Sequence, residues 1–210
     1  MPLVPSIPMM NKMTPTETCA GALSEILLDR ETIQARVREL GAQITRELRG
    51  TQLCIAPLLD GGMIFAADLM REIELPVTLL PLKASSYGDG TTSSGVVSLP
   101  WGLPEEIRDK EILLVDDILD TGRTLQTLKN ELLDAGALSV RTCILLRKEY
   151  SKELPADFVG FDIPDKFVVG YGLDLAGLYR NLPVKAPADY RRRCGERQDR
   201  SADRSRRASL

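Results

Sequence analysis

Between residues 33 and 48 the apolar positions Ile33, Val37, Leu40, Ile44 and Leu48 recur at spacings of four, three, four and four. That spacing puts them on one face of an amphipathic helix. Asp29 stands where an N-cap belongs, and Gly50 where a C′ residue belongs. The pattern then changes. QLCIAPLL, residues 52 to 59, is a continuous apolar run short enough for a buried strand, and it ends at Asp60-Gly61-Gly62. Helical spacing resumes through Phe65, Leu69 and Ile73. PVTLLPL, residues 76 to 82, predicts another strand, with Pro81 marking its end or an edge. Residues 84 to 95, ASSYGDGTTSSG, contain no large aliphatic side chain and predict a long flexible loop. Val96 to Leu99 predicts a short strand, Glu111 to Val115 a buried one, Leu125, Leu128 and Leu132 a helix, and Val140 to Leu146 the next strand. After Tyr150 the apolar pieces are short and broken by Pro and Gly. Strands alternating with helices imply an α/β fold: a mainly parallel central sheet flanked by helices.

Composition narrows the chemistry. The chain has 210 residues, enough for one domain with a real core, and its hydrophobic and charged fractions of 43% and 27% are those of a globular protein. The formal net charge of −3 is unevenly spread. Residues 191 to 210 hold eight Arg and three acids, giving +5, so residues 1 to 190 hold 19 bases against 27 acids, giving −8. An acidic body of this kind is not expected to bind nucleic acid. The Arg-rich end, residues 187 to 210, has almost no apolar positions and is expected to be disordered; its charge leaves contact with RNA or an acidic partner open. Residues 1 to 20, with four Pro before residue 18, are expected to form a flexible arm. There is no histidine, which excludes Ser-His-Asp and Cys-His sites, HExxH proteases and His-ligated zinc. Acid–base chemistry must then use carboxylates, Lys, Tyr or Cys. The four cysteines form no CxxC pair, and Cys54 and Cys143 lie in apolar runs, as core thiols of a reducing cytoplasm would. The first residues lack the pattern of a signal peptide, and no apolar run approaches the roughly 20 residues of a membrane helix.

The sharpest segment is EILLVDDILDTGRTLQTL, residues 111 to 128. A buried strand delivers Asp116 and Asp117 at its carboxyl end, and the turn Thr121-Gly122-Arg123-Thr124 opens a helix. Ligands of open α/β sheets bind beyond the carboxyl ends of strands. Backbone N–H groups and hydroxyls at a helix N-terminus suit a phosphate, and Arg123 adds charge. The adjacent acids suit sugar hydroxyls or a hydrated Mg²⁺ instead. Together the parts specify a phosphorylated sugar. The plainer reading makes the acids a cap and a solvated loop, with Asp120 a helix-entry acid.

This string resembles the phosphoribosyl pyrophosphate (PRPP) signature of the type I phosphoribosyltransferases. The resemblance covers roughly residues 22 to 185 and includes ARVRELGAQIT (35 to 45), similar to the helix that opens bacterial members. Leu59-Asp60-Gly61-Gly62 resembles the pyrophosphate-binding loop, and Ser85-Ser86-Tyr87-Gly88 the mobile active-site loop. Lys148 follows the next strand, and DKFVVGYGLD (165 to 174) with YRNLP (179 to 183) is similar to the hood of the hypoxanthine-guanine branch. The resemblance implies the type I fold over residues 21 to 186, with a small hood built from the N-terminal part and residues 155 to 186.

It also implies roles. Asp116 and Asp117 would hold the ribose hydroxyls, and Thr121, Gly122, Arg123 and Thr124 the 5′-phosphate. Asp120 would be the general base or acid at the purine N7. Lys148 would donate to the purine O6, Phe167 would stack on the ring, and Val168 would offer backbone groups to the base edge. Asp174 would coordinate Mg²⁺. Arg180 and the backbone of Asp60, Gly61 and Gly62, possessing a non-proline cis peptide in the family, would bind pyrophosphate. Ser86 and Tyr87 would belong to a lid that keeps water from the sugar carbon. Without the resemblance, Lys148 is one exposed charge in Arg147-Lys148-Glu149, and Phe167-Val168-Val169 a core strand.

Two departures stand out: many relatives carry Lys where this chain has Asp60, and Leu175-Ala176-Gly177 lacks the aromatic often found after Asp174. The implied activity is transfer of 5-phosphoribose from PRPP to hypoxanthine or guanine, giving IMP or GMP and pyrophosphate, with Mg²⁺, in a cytoplasmic homodimer or homotetramer. A xanthine-preferring paralogue and a nucleotide-sensing RNA-binding regulator on the same fold are the alternatives.

Overall fold

The computed structural model describes residues 25–83, 85–86, 97–98, 103 and 105–188. The expected arm at 1–20 lies outside these residues, as do Tyr87 and all but the first two residues of the 187–210 tail. Of Ser86, only the backbone is described.

Helix α1 spans Arg30–Glu47 and buries Ile33, Val37, Leu40 and Ile44, the face that the spacing predicts. Asp29 caps it, its carboxylate accepting from the Thr32 amide at 2.8 Å. Gly50 has the left-handed φ of 85°, but the C-cap is Leu48, so the glycine lies one residue beyond the expected C′ position. Strand β1 (Leu53–Leu59) follows, then α2 (Gly62–Glu72), then β2 (Val77–Leu79) and β3 (Leu82–Lys83). The single strand expected over 76 to 82 is thus two. Pro81 has no N–H to donate, and the chain breaks at Leu80-Pro81 before pairing with β1 again.

Short strands β4 (Ser85–Ser86) and β5 (Val97–Ser98) pair antiparallel and tie together the two ends of the expected loop. The long strand β6 (Glu111–Leu119) leads through Gly122 into α3 (Arg123–Asp134). Strand β7 (Ser139–Lys148) and strand β8 (Phe158–Ile163) complete the main sheet. No sequence pattern predicts β8. Its burial mixes inward and half-exposed positions because it is an edge strand, and Arg36 of α1 covers it by donating to the carbonyls of Val159 and Gly160, both at 2.9 Å. Finally β9 (Val168–Val169) pairs antiparallel with β10 (Ala186–Pro187).

The main sheet runs in the order β2-β1-β6-β7-β8, with β3 also on β1, and every recorded pairing in it is parallel. Alternate side chains feed two cores. Leu53, Ile55, Leu113 and Val115 pack with Ile33, Leu40, Phe65 and Leu69 on the α1–α2 side. Ala56, Ile112 and Leu114 pack with Leu125, Leu128 and Leu132 of α3 on the other. Cys54 and Cys143 are buried free thiols, as expected, and burial pushes the Cys143 thiol up. After β1 the chain moves outward to β2, then returns to the opposite side of β1 as β6. The carboxyl ends of β1 and β6 therefore flank the topological switch point, where open α/β sheets bind ligands.

Candidate active site

Two loops meet at that switch point. The Leu59–Asp60 peptide is cis, and Gly61 and Gly62 follow it into α2. Gly61 lies so close to the buried Asp117 carboxylate that a Cβ there would stand 2.8 Å from its Cγ, and a Cβ on Gly62 would stand 2.8 Å from the Val115 carbonyl oxygen. Gly172, at φ +107°, packs its backbone against the Gly61 carbonyl from the other side. Small residues are required here because three backbones converge where side chains would otherwise intervene.

Asp116 and Asp117 lie within β6, which continues to Leu119, and not at its end as expected. The apolar Ile118 and Leu119 keep the ladder with β7 going, with Ile118 opposite Leu146. Asp117 is 5% exposed. Burial pushes both carboxyls up, that of Asp116 well above the usual carboxylate range, and the charge of Asp117 adds to the effect on Asp116. On Asp117 the nearby charges of Lys185 and then Arg180 work the other way. A carboxyl whose folded pKa is raised costs stability above that pKa, and the cost vanishes below its unfolded value near 4. Asp116→Asn is therefore expected to stabilise the fold at pH 7 and to do nothing near pH 4. Thermal melts of both proteins at the two pH values check it.

Helix α3 starts at Arg123, with Gly122 at φ 71° as N-cap and no side-chain capping bond. Asp120 is thus not the helix cap, and no side chain among the described residues caps the first-turn amides of α3. Thr121, Gly122, Arg123 and Lys129 all line a cleft of about 220 Å³ beside the turn. It lies against Leu154 and Pro155, and neither Asp116, Asp117 nor Asp120 lines it.

Lys148 is the last residue of β7 and does not follow the strand as expected. Its ammonium bonds Asp165 at 2.8 Å, lies 3.9 Å from Asp120 and sits 5.4 Å above the Tyr150 ring. Burial pulls this lysine down, but Asp165, Tyr150 and Asp120 outweigh it and hold the pKa above its ordinary value. The Tyr150 hydroxyl donates to the Asp120 carboxylate, and the Ser151 hydroxyl to the Asp120 carbonyl. Asp165 stands two residues before Phe167, which is 51% exposed, while Val168 and Val169 are buried in β9. Asp174 and Arg180 pair at 2.7 Å, and Arg180 also donates to the Gly172 carbonyl at 2.5 Å.

The described residues thus join Gly61 to Asp117, Gly62 to Val115 and Asp116, Asp120 to Lys148, and Asp174 to Arg180. A model of the phosphoribosyl transferase domain matches residues 24–175. The chain belongs to the phosphoribosyltransferase family. The hypoxanthine phosphoribosyltransferase of Salmonella typhimurium is 42% identical over 163 residues, 76% of this chain and 92% of its own. The hypoxanthine-guanine phosphoribosyltransferase of Mycobacterium avium is 40% identical over 84% of this chain and 91% of its own. A crystal structure of hypoxanthine phosphoribosyltransferase from Staphylococcus aureus superposes with a TM-score of 0.79 at 36% identity, covering 84% of this chain and 97% of that one.

Three groups beside the candidate residues of this phosphoribosyltransferase carry no motif of their own. Tyr150 and Asp165 had only their nearness to Lys148 and Phe167 to mark them. Lys185 is a lone lysine between Val184 and Ala186, and it is fully buried.

Proposed function

We propose that the enzyme transfers 5-phosphoribose from PRPP to the 6-oxopurines hypoxanthine and guanine, releasing pyrophosphate. The observation that carries this reading is the Asp116–Asp117 pair at the switch point, held against Gly61, with an uncapped helix N-terminus five residues further on. Hydroxyls go to the acids, and the 5′-phosphate to Thr121, Gly122, Arg123 and Thr124, where free amides and the helix dipole favour an anion. Pyrophosphate lies between the backbone of residues 60 to 62 and Arg180. With Asp60 bearing a carboxylate, the attraction comes from amides and Arg180, which stabilise the departing anion.

Asp120 exchanges the proton at purine N7 as the sugar carbon becomes electron-poor. Lys148 donates to O6, Phe167 covers the ring, and Val168 offers backbone groups to the base edge. Both polar groups are engaged before the purine arrives, Lys148 by Asp165 and Asp120 by the Tyr150 hydroxyl. Tyr150 is 54% exposed and has room to swing aside. Ser86 and Tyr87 serve as lid contacts, and the hood is formed around β9, β10 and Leu27–Leu28.

Mg²⁺ belongs to this reading. Asp174 is a hard-oxygen donor with 29% side-chain exposure, and Mg²⁺ bound to phosphates needs only one or two protein carboxylates. The ion would supply positive charge to the pyrophosphate. A homodimer or homotetramer and a reducing cytoplasm complete the proposal, the latter supported by the free Cys54 and Cys143.

Initial rates with PRPP, Mg²⁺ and hypoxanthine, guanine, xanthine or adenine test the function. Nucleotide from the first two bases is expected; xanthine alone would indicate the paralogue, and no nucleotide would end the reading. Lys148→Ala is expected to lower kcat/KM for hypoxanthine about 100-fold, because the O6 acceptor loses a charged donor. The adenine rate in the same assay should change little, and an unaltered ratio of the two would remove the role.

A further inference from the structure

Lys185 is 0% exposed, and its Nζ has no hydrogen-bond partner among the described residues. A buried ammonium in that condition is costly, so its placement calls for a compensating role. The backbone around it is pinned. Its N–H donates to the Leu28 carbonyl at 2.9 Å, and its carbonyl accepts from Leu27 and Leu28 at 2.9 and 3.1 Å. Ala186, the next residue, pairs with Val169. The side chain therefore enters the interior from a fixed point.

The charges that act on the Lys185 ammonium are Asp117 first and Asp116 second. Burial pulls its pKa down to about 8, so the ammonium is mostly charged at neutral pH. Asp117 feels two cations, Lys185 and Arg180. Arg180 is tied to Asp174 and, in the proposed function, turns toward pyrophosphate. Lys185 has no such competitor, because no ligand reaches a fully buried amine. The two cations thus differ in kind: one moves with the substrate, the other is built in.

We propose that Lys185 is a positioning residue for PRPP: its buried ammonium is the permanent counter-charge of Asp117, and it keeps that carboxylate charged and aimed as an acceptor for a ribose hydroxyl. The inference rests on the phosphoribosyl transfer reading. It goes beyond that reading because Lys185 touches neither substrate. An ionised carboxylate offers only acceptors, which is what a sugar hydroxyl donor needs, whereas a protonated one gives up an acceptor site. Asp117 has little freedom to find another partner, since Gly61 blocks one side of its carboxylate.

The test compares wild type, K185M and K185R in initial-rate assays with PRPP and hypoxanthine, together with thermal melts. K185M is expected to raise KM for PRPP about tenfold, from the loss of one charge interaction in a partly screened interior. Its kcat should stay within about threefold, and KM for hypoxanthine within about twofold, because the purine groups are untouched. K185R, which keeps the charge, should recover most of the PRPP affinity. A wild-type KM for PRPP in K185M would overturn the proposal, as would equal rises for both substrates without rescue by K185R. If K185M does not fold, the same substitution in a D117N background decides. There the charge to be balanced is gone, so KM for PRPP should move less than about twofold from that of D117N alone. A further tenfold rise would overturn the role. Wild type that made no nucleotide would sink the transferase reading itself, whereas normal wild-type turnover with an unaffected K185M would sink only Lys185.

Discussion

Asp120→Asn is expected to lower kcat about 10³-fold, the usual worth of a positioned general acid–base group. Asparagine keeps the size of the side chain and can still accept from the Tyr150 hydroxyl, so the local arrangement survives. What it loses is the ability to take and return a proton. The fold should be nearly indifferent. Asp120 has 52% side-chain exposure and lies beyond the end of β6, and its ion pair with Lys148 is long, at 3.9 Å. Asp120 stays half exposed to water in this pair, and a pair so long and so screened contributes about 0–1 kcal/mol. PRPP binding should also survive, because the proposed function gives the ribose hydroxyls to Asp116 and Asp117 and the phosphate to the start of α3. The split is therefore a collapse of kcat with KM for PRPP within about twofold of wild type. Pre-steady-state mixing with hypoxanthine would place the loss in the chemical step. A variant with kcat within fivefold of wild type, or one whose PRPP affinity fell with its turnover, would mean that Asp120 does not handle the proton.

The positions that were legible from sequence share a physical cause. Ile33, Val37, Leu40 and Ile44 repeat with the helical period, and their burial follows from it. The apolar run before Asp116 marks β6 because a strand buried on both faces has no polar side. The family motifs stand out in sequence because, in the proposed function, phosphate, sugar and purine each need distinct chemistry at a fixed place along the chain. The strand ends were less legible. Nothing in Asp116-Asp117 announces that β6 continues to Leu119, since backbone pairing with β7 extends it despite two charges. Edge strand β8 carries Gly160 and Asp162, residues that a local reading assigns to a loop. The contacts that join distant segments were not legible at all. The buried Lys185 whose charge acts on the acid pair, Tyr150 on Asp120 and Tyr171 donating to Asp68 at 2.7 Å depend on how the returning chain packs over the switch point.

Gly61→Ala is expected to raise KM for PRPP about 100-fold, the penalty of displacing a binding group by roughly 1 Å. Gly61 has φ −65° and ψ −47°, an ordinary right-handed conformation, so alanine brings no backbone strain. The whole effect is steric, and it falls on Asp117. The new Cβ would stand 2.8 Å from the Asp117 Cγ and closer still to one carboxylate oxygen. Asp117 is only 5% exposed, and the loop itself has little room to retreat, because Gly172 packs on the Gly61 carbonyl and Gly62 on the Val115 carbonyl. Either the carboxylate rotates away from the ribose or the loop lifts from the sheet, and both remove contacts that PRPP needs. The accompanying loss of stability should be about 1–3 kcal/mol, as for other overpacked interiors. A double-mutant cycle with Asp117→Ala isolates the cause. Removing the carboxylate makes room for the methyl group, so Gly61→Ala should cost almost no stability in that background, with a coupling of about 1–2 kcal/mol. Additive losses in the cycle would mean that the alanine disturbs something other than Asp117. An unchanged KM for PRPP would mean that the loop after β1 and the acids of β6 do not act as one site.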